Sequence, residues 1–84
     1  MYQFDDEAKS VGTALLALRQ AVGLTQEQLA EKAKVSASAN SRHETGREAP
    51  SIRIVARYAR ELGLHLPEFF RIHDEIQKAI RRTS

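Results

Sequence analysis

The side chains best suited to chemistry are basic residues in the middle third of the chain. Residues 32–60 hold seven lysines and arginines against two acidic residues, whereas residues 1–31 hold two basic and five acidic residues. The basic residues of the middle third are Lys32, Lys34, Arg42, Arg47, Arg53, Arg57 and Arg60. Such a concentration of positive charge suits a surface that binds phosphate groups. A set of ordinary solvated helix faces is the alternative explanation of the same charges.

Other kinds of chemistry have little support in the sequence. There is no phosphate-binding glycine loop, activated serine pattern or pair of catalytic carboxylates, so we predict no catalytic residues and no enzyme. His65 and His73 lie eight residues apart, without cysteines or a carboxylate cluster at ligand spacing, and we therefore predict no metal and no cofactor. His43 is either a pH-sensitive switch or a simply packed histidine.

Length and composition indicate one cytoplasmic domain. With 84 residues, 42% of them hydrophobic, the chain suffices for one compact core. No apolar run is long enough to span a bilayer, and the acidic start Asp5-Asp6-Glu7 is unlike a secretory signal, so no membrane partner is predicted. The absence of cysteine fits a reducing compartment and a fold held by packing alone.

Apolar residues recur at helical spacing in the first half of the chain. They are Val11, Leu15, Leu18 and Val22 in the first helix, and Leu29, Ala30 and Ala33 in the second. Gly23 is expected to end the first helix in a left-handed conformation. Thr25 and Gln28 form the capping-box pattern that begins the second helix, which ends near Lys34.

Three further helices are predicted. Ser36 and Ser51 are the expected N-caps of the third and fourth helices, which end near Gly46 and at Gly63. The apolar stripe of the fourth helix is Ile52, Val55, Ala56, Ala59 and Leu62. Pro67 fits the first turn of a fifth helix, whose apolar residues are Phe69, Phe70, Ile72, Ile76 and Ile80. The expected fold is all-α, with an N-terminal arm over residues 1–10, a globular domain over 11–66 and an extended C-terminal helix over 67–84.

The short second and third helices, separated by a turn at Lys34-Val35-Ser36, form a helix-turn-helix pattern. The chain resembles the Cro and phage-repressor family, also called XRE-like, in the run Leu24-Thr25-Gln26-Glu27-Gln28-Leu29-Ala30 and at Val35-Ser36, Arg42, Glu44, Gly46, Pro50-Ser51 and Leu62-Gly63. This resemblance implies a five-helix lambda-repressor-like domain over residues 11–66 that binds double-stranded DNA. It also implies that the third helix is the recognition helix, lying in the major groove.

The resemblance assigns roles to individual residues. The DNA-binding residues it implies are Gln26, Ala37, Ser38, Ser41, Arg42, Arg47 and Arg53. Gln26 stands where the family contacts a phosphate, and Arg47 and Arg53 are expected near the DNA backbone. Ala37, Ser38 and Arg42 fall at base-reading positions with Ser41 between them, and the Arg42 guanidinium suits a bidentate contact with guanine.

Other positions concern the support of the recognition helix. Arg19 and Glu44 match a family pair that ties the first helix to the end of the third, and we expect that pair to be structural. Lys34 stands at the usual turn glycine, so its side chain must accept a left-handed backbone. Asn40 and His43 stand where the family places large apolar residues, which predicts a weakly anchored third helix. Asn40 must either find hydrogen bonds or lie near water.

The fifth helix suggests how the protein assembles. Family members of this length bind inverted repeats as two-fold dimers, and Phe69, Phe70, Ile72, Ile76 and Ile80 are the predicted dimer interface of a homodimer. The same stripe could instead cover the core of its own chain. The predicted function is that of a sequence-specific transcriptional regulator, a repressor that binds an inverted-repeat operator. Two alternatives stay open: an antitoxin that binds its operon DNA and a toxin, and a protein-interaction module that no longer recognises DNA.

Overall fold

The structure is a computed structural model that describes the backbone of residues 4–83 and the side chains of residues 7–82. Its five helices are α1 (Phe4–Ala21), α2 (Gln26–Ala33), α3 (Ala37–Glu44), α4 (Ile52–Glu61) and α5 (Leu66–Thr83). Residues 4–83 contain no strand, which confirms the predicted all-α fold of five helices. Across these same residues, no helix combines the length and the apolar character that crossing a membrane requires.

The first helix begins earlier than the sequence predicts. Residues 4–10, expected to belong to an arm, are the opening turns of α1, and residues 1–3 lie outside the described residues. Ala8 and Ser10 are buried, so this stretch contributes to the packing of the domain. Neither side chain is large and apolar, and the hydrophobic pattern therefore did not include them. At the other end, Val22 follows the last residue of α1 and is 50% exposed, so its predicted place on the inward face is wrong.

Short-range hydrogen bonds fix the ends of the central helices as predicted. The Thr25 hydroxyl accepts from the Gln28 amide at 3.1 Å, and the Gln28 side chain accepts from the Thr25 amide at 2.8 Å. Ser36 caps α3 and Ser51 caps α4, each through its hydroxyl oxygen. Lys34 ends α2 with φ 60° and ψ 44°, which is the left-handed conformation expected for this turn.

The helices enclose one core, in which α1 packs against α3 and α5, α2 against α3 and α4, and α4 against α5. Its fully buried large side chains include Leu15, Leu29, Tyr58 and Phe69. The inward face of α4 differs from the predicted stripe, because Ile52 is 58% exposed and Ala56 is exposed. Tyr58 takes the central position instead, which directs a phenol group into the interior.

A close approach between α1 and α3 depends on Gly12. A Cβ atom at this position would lie 2.5 Å from the His43 carbonyl oxygen and 2.6 Å from that of Glu44. Contacts this short are not tolerated by packed atoms, so only glycine fits between the two helices as they stand. Gly12 therefore sets how closely α3 lies against α1.

Candidate nucleic-acid interface

The outer face of α3 carries the residues that the sequence analysis assigned to base recognition. Ala37, Ser38 and Arg42 are exposed and Ser41 is half-buried. These positions are related by steps of three and four residues, so they share one side of the helix. The structure thus brings the four predicted residues together on one solvent-facing surface.

The inner face of α3 is polar rather than apolar. Asn40, His43 and Glu44 are all buried, with Asn40 fully enclosed. Asn40 Nδ2 donates to the Tyr58 hydroxyl oxygen at 3.2 Å, and His43 Nδ1 lies 2.7 Å from the same oxygen. Of the two alternatives for Asn40, the structure has hydrogen bonding rather than proximity to water. Its Oδ1 atom has no partner among the described residues.

The Tyr58 hydroxyl joins these groups into one directional chain. Burial lowers the pKa of His43, and the Glu48 carboxylate, with Oε2 3.4 Å from Nε2, opposes this effect only in part. The neutral ring can therefore accept a hydrogen bond from the Tyr58 hydroxyl at Nδ1 and donate one from Nε2–H to Glu48. Burial also raises the pKa of the Tyr58 phenol, so the hydroxyl keeps its proton. Hydrogen bonds to Tyr58 thus take the place of the apolar anchors that the sequence analysis found missing.

The predicted Arg19–Glu44 pair is present and forms a fork. Arg19 Nε and Nη2 donate to the two Glu44 carboxylate oxygens at 2.8 and 3.0 Å, and Arg19 Nη1 donates to the Leu24 carbonyl oxygen at 2.8 Å. Gln26 Nε2 donates to Glu44 Oε1 at 3.0 Å. Residues of α1, α2 and α3 therefore meet at one buried carboxylate. Gln26 is the first residue of α2, and its side-chain amide is turned towards Glu44. Its expected phosphate contact remains a prediction.

Arg42 is held by two neighbours on the outer face of α3. Its Nε atom donates to Glu48 Oε1 at 2.9 Å, and Nη1 donates to the Ser38 hydroxyl oxygen at 2.8 Å. The hydrogen bond from Arg42 lowers the pKa of the Glu48 carboxyl group, which is ionised at neutral pH. Sequence reasoning missed Glu48, because a glutamate six residues beyond Arg42 and past the helix end gives no periodic signal.

The remaining predicted phosphate-binding residues lie outside α3. Arg47 is exposed in the turn after α3, and Arg53 is exposed in the first turn of α4. Both side chains are therefore exposed to solvent. Their contact with DNA remains a prediction.

The predicted dimer residues do not all reach the surface. Phe69 is 0% exposed and belongs to the core, so its assignment to a dimer interface is wrong. Phe70, Ile72 and Ile76 are half-buried and pack against the core, and Ile80 is half-buried near the end of α5. The alternative that this stripe covers its own chain is therefore correct for Phe69 and correct in part for Phe70, Ile72 and Ile76.

Comparison with known proteins agrees with this geometry. A family model described as a helix-turn-helix domain matches residues 10–69. A solved structure of the clp gene regulator ClgR from Corynebacterium glutamicum is similar, with 25% sequence identity and a TM-score of 0.86 over 92% of this chain and 82% of that one. A second ClgR structure from the same organism has 27% identity and a TM-score of 0.79, covering 84% of this chain and 91% of that one. The comparison with curated proteins found no match.

Proposed function

The chain belongs to the helix-turn-helix domain family and is a DNA-binding regulator of transcription, and we propose that it recognises a specific operator through the outer face of α3. The observation that carries this proposal is the two-sided character of α3. Its inner face is buried and hydrogen-bonded, while Ala37, Ser38 and Arg42 are exposed together on the opposite face. A helix supported in this way can enter the major groove without losing contact with its own domain.

Each exposed residue suits a different contact. The Arg42 guanidinium can bind O6 and N7 of a guanine, a contact that discriminates between bases by about 1–3 kcal/mol. Ser38 can donate or accept a hydrogen bond, and Ala37 can place its methyl group against a thymine methyl. The exposed guanidinium groups of Arg47 and Arg53 suit phosphates, which position the protein without specifying sequence.

The proposed operator is an inverted repeat bound by a homodimer. Two copies of α3 must lie about 34 Å apart to enter successive major grooves on one side of the duplex. The proposed contact between copies is formed by Phe70, Ile72, Ile76 and Ile80, because these apolar side chains are only half-buried within one chain. ClgR is described as a regulator of clp genes. For this chain we propose repression, which a reporter gene placed behind the selected operator would test by its direction of change.

The experiment is selection of preferred sites from random-sequence duplex DNA at low salt, with wild type, Arg42→Ala and Arg71→Ala compared. Arg71 is an exposed arginine on α5 and controls for loss of one positive charge. We expect wild type and Arg71→Ala to enrich the same inverted repeat and Arg42→Ala to lose preference at one position in each half-site. Absence of enrichment by wild type would contradict the proposal. In titrations of the selected site, Arg47→Ala and Arg53→Ala should each reduce the slope of log binding constant against log salt concentration by about 1, the value expected for one phosphate contact.

The polar residues of α3 that replace apolar ones do not favour the alternative of a protein-interaction module that no longer recognises DNA. Asn40 and His43 lie on the buried side of α3 and are joined to Tyr58. They therefore leave the outer face of the helix unaltered. Toxin binding remains a separate alternative, for which the test is co-purification of a protein partner with the DNA-binding chain.

A further inference from the structure

The turn after α3 carries Glu48 back to the helix it follows. Gly46 has φ 75°, and the backbone amides of Arg47 and Glu48 both donate to the Arg42 carbonyl oxygen, at 3.0 and 3.3 Å. A residue with a side chain is strained at this φ, so glycine permits the reversal. As a result the Glu48 carboxylate lies beside Arg42 and His43, although it follows the helix in sequence.

Both carboxylate oxygens of Glu48 have a partner. Oε1 accepts from Arg42 Nε at 2.9 Å, and Oε2 lies 3.4 Å from His43 Nε2. The His43 ring is itself positioned by the Tyr58 hydroxyl, 2.7 Å from Nδ1. The exposed glutamate is therefore connected through His43 to the buried side of α3. A carboxylate held at both oxygens has less freedom than one on an ordinary solvated side chain.

The hydrogen bonds of Arg42 leave donors on both of its Nη atoms available for guanine. A guanidinium has five N–H donors, and here Nε is bonded to Glu48 and one Nη1 hydrogen to Ser38. Nη2 and the second Nη1 hydrogen have no partner among the described residues. These are the donors at the end of the side chain, which can form two parallel hydrogen bonds with O6 and N7 of guanine.

We propose that Glu48 is a positioning residue for base recognition: by holding Arg42 Nε, it fixes the guanidinium so that the Nη atoms are presented to a guanine. The inference rests on the proposed function, since Arg42 must contact bases for it to hold. An arginine already held in one geometry loses less rotamer freedom on binding than a free one. Glu48 therefore increases discrimination at the base pair that Arg42 contacts.

Glu48 has a second effect of opposite sign. Its negative charge lies on the surface that would face DNA, where it repels the phosphate backbone and lowers affinity for every sequence. Removal of Glu48 should thus tighten binding to DNA in general while weakening the preference for one base pair. A residue that only supported the fold would not change these two quantities in opposite directions.

The test uses two duplexes. The first is the site that wild type selects from random-sequence DNA, and the second differs from it at the base pair whose preference is lost in Arg42→Ala. The ratio of the two dissociation constants measures discrimination, and we expect about 5- to 150-fold for wild type. Glu48→Ala should reduce this ratio by about threefold or more and tighten binding to the second duplex. Glu48→Gln, which keeps the side-chain length, should change the ratio in the same direction.

A double-mutant cycle separates positioning from charge. In an Arg42→Ala background, adding Glu48→Ala should leave the ratio unchanged while still tightening binding to both duplexes. Glu75→Ala is the control, because Glu75 is an exposed carboxylate on α5 that pairs with Lys78 at 3.6 Å. It should not alter the ratio.

Several results would overturn the inference. If wild type selects no site, the proposed function fails and the inference with it. If a site is selected but no base pair depends on Arg42, or if Glu48→Ala and Glu48→Gln keep the full ratio, the proposed function stands and the role of Glu48 is refuted.

Discussion

Removal of the Tyr58 hydroxyl group would test whether hydrogen bonds hold α3 in place. In Tyr58→Phe, Asn40 Nδ2 loses its partner at 3.2 Å and His43 Nδ1 loses its partner at 2.7 Å. Both residues stay buried in the structure, at 0% and 4% exposure, so water cannot readily replace the hydroxyl. The ring itself still fills its space in the core.

The expected loss follows from the two atoms left without partners. A buried polar group without a hydrogen bond costs about 1–3 kcal/mol, so two such groups should reduce the free energy of unfolding by about 2–4 kcal/mol once local relaxation is allowed. A domain of this size has a stability of about 5–15 kcal/mol, and its melting temperature should fall by about 10 °C or more.

The measurement is urea unfolding followed by far-ultraviolet circular dichroism, which suits a chain without tryptophan. The matched control is the triple variant Tyr58→Phe, His43→Leu, Asn40→Leu. It removes all three polar groups, so it leaves none of them buried without a partner and should recover much of the lost stability. A loss below about 0.5 kcal/mol in Tyr58→Phe would contradict the role assigned to these hydrogen bonds.

Three further changes test the support of α3. Lys34→Gly should stabilise the protein by about 0.5–1 kcal/mol in urea unfolding. Glycine removes the strain of the left-handed backbone at φ 60°, and the greater entropy of glycine in the unfolded chain offsets part of this gain. Gly12→Ala should destabilise it by about 1–3 kcal/mol, because the added Cβ meets the carbonyl oxygens at the end of α3. The free energy of unfolding should fall as pH is lowered from 7 towards 5. The reason is that His43 has a lowered pKa when folded, whereas the unfolded chain takes up this proton near the ordinary value of 6.5.

Matched variants separate these effects from general damage. Thr13→Ala changes an exposed neighbour of Gly12 on the same helix and should alter stability by less than about 0.5 kcal/mol. Lys34→Ala keeps the left-handed strain, so it should not reproduce the gain of the glycine variant. His43→Leu should show a smaller loss of stability between pH 7 and 5 than wild type, and equal pH dependence in the two would contradict the assignment.

Local signals in the sequence predicted the helix ends well. Thr25, Ser36 and Ser51 cap helices through hydrogen bonds that span three residues, so each end is determined by a few neighbouring residues. The residues on the outer face of α3 could also be predicted from the sequence, since residues one turn apart share a side of the helix. These features need no knowledge of the rest of the fold.

Features that depend on contacts distant in sequence could not be predicted in the same way. Tyr58 was left out of the inward face of α4, because hydrophobic periodicity favoured Ile52 and Ala56 over a residue with a polar group. Burial of its hydroxyl group requires the hydrogen bonds to Asn40 and His43, which lie 18 and 15 residues away in sequence. Asn40 and His43 therefore looked like defects of α3, since their common partner was not recognised. Glu48 was not predicted for a related reason, because its contacts depend on a reversal of the chain at Gly46.

The polar inner face affects more than the stability of α3. Apolar contacts are non-directional, whereas hydrogen bonds weaken steeply when their angles change. The hydrogen bonds that Asn40 and His43 form with the one Tyr58 hydroxyl therefore restrain the rotation of α3 about its axis, and the contact of His43 with Glu48 extends this restraint to Arg42.

The triple variant Tyr58→Phe, His43→Leu, Asn40→Leu should for this reason separate stability from recognition. Its apolar side chains should restore unfolding free energy relative to Tyr58→Phe, but they cannot fix the rotation of α3 or hold the second oxygen of Glu48. We expect its discrimination at the base pair that Arg42 is proposed to contact to stay below that of wild type by about threefold or more. Recovery of both stability and discrimination would show that apolar packing orients α3 equally well, and that the hydrogen bonds to Tyr58 have no part in recognition.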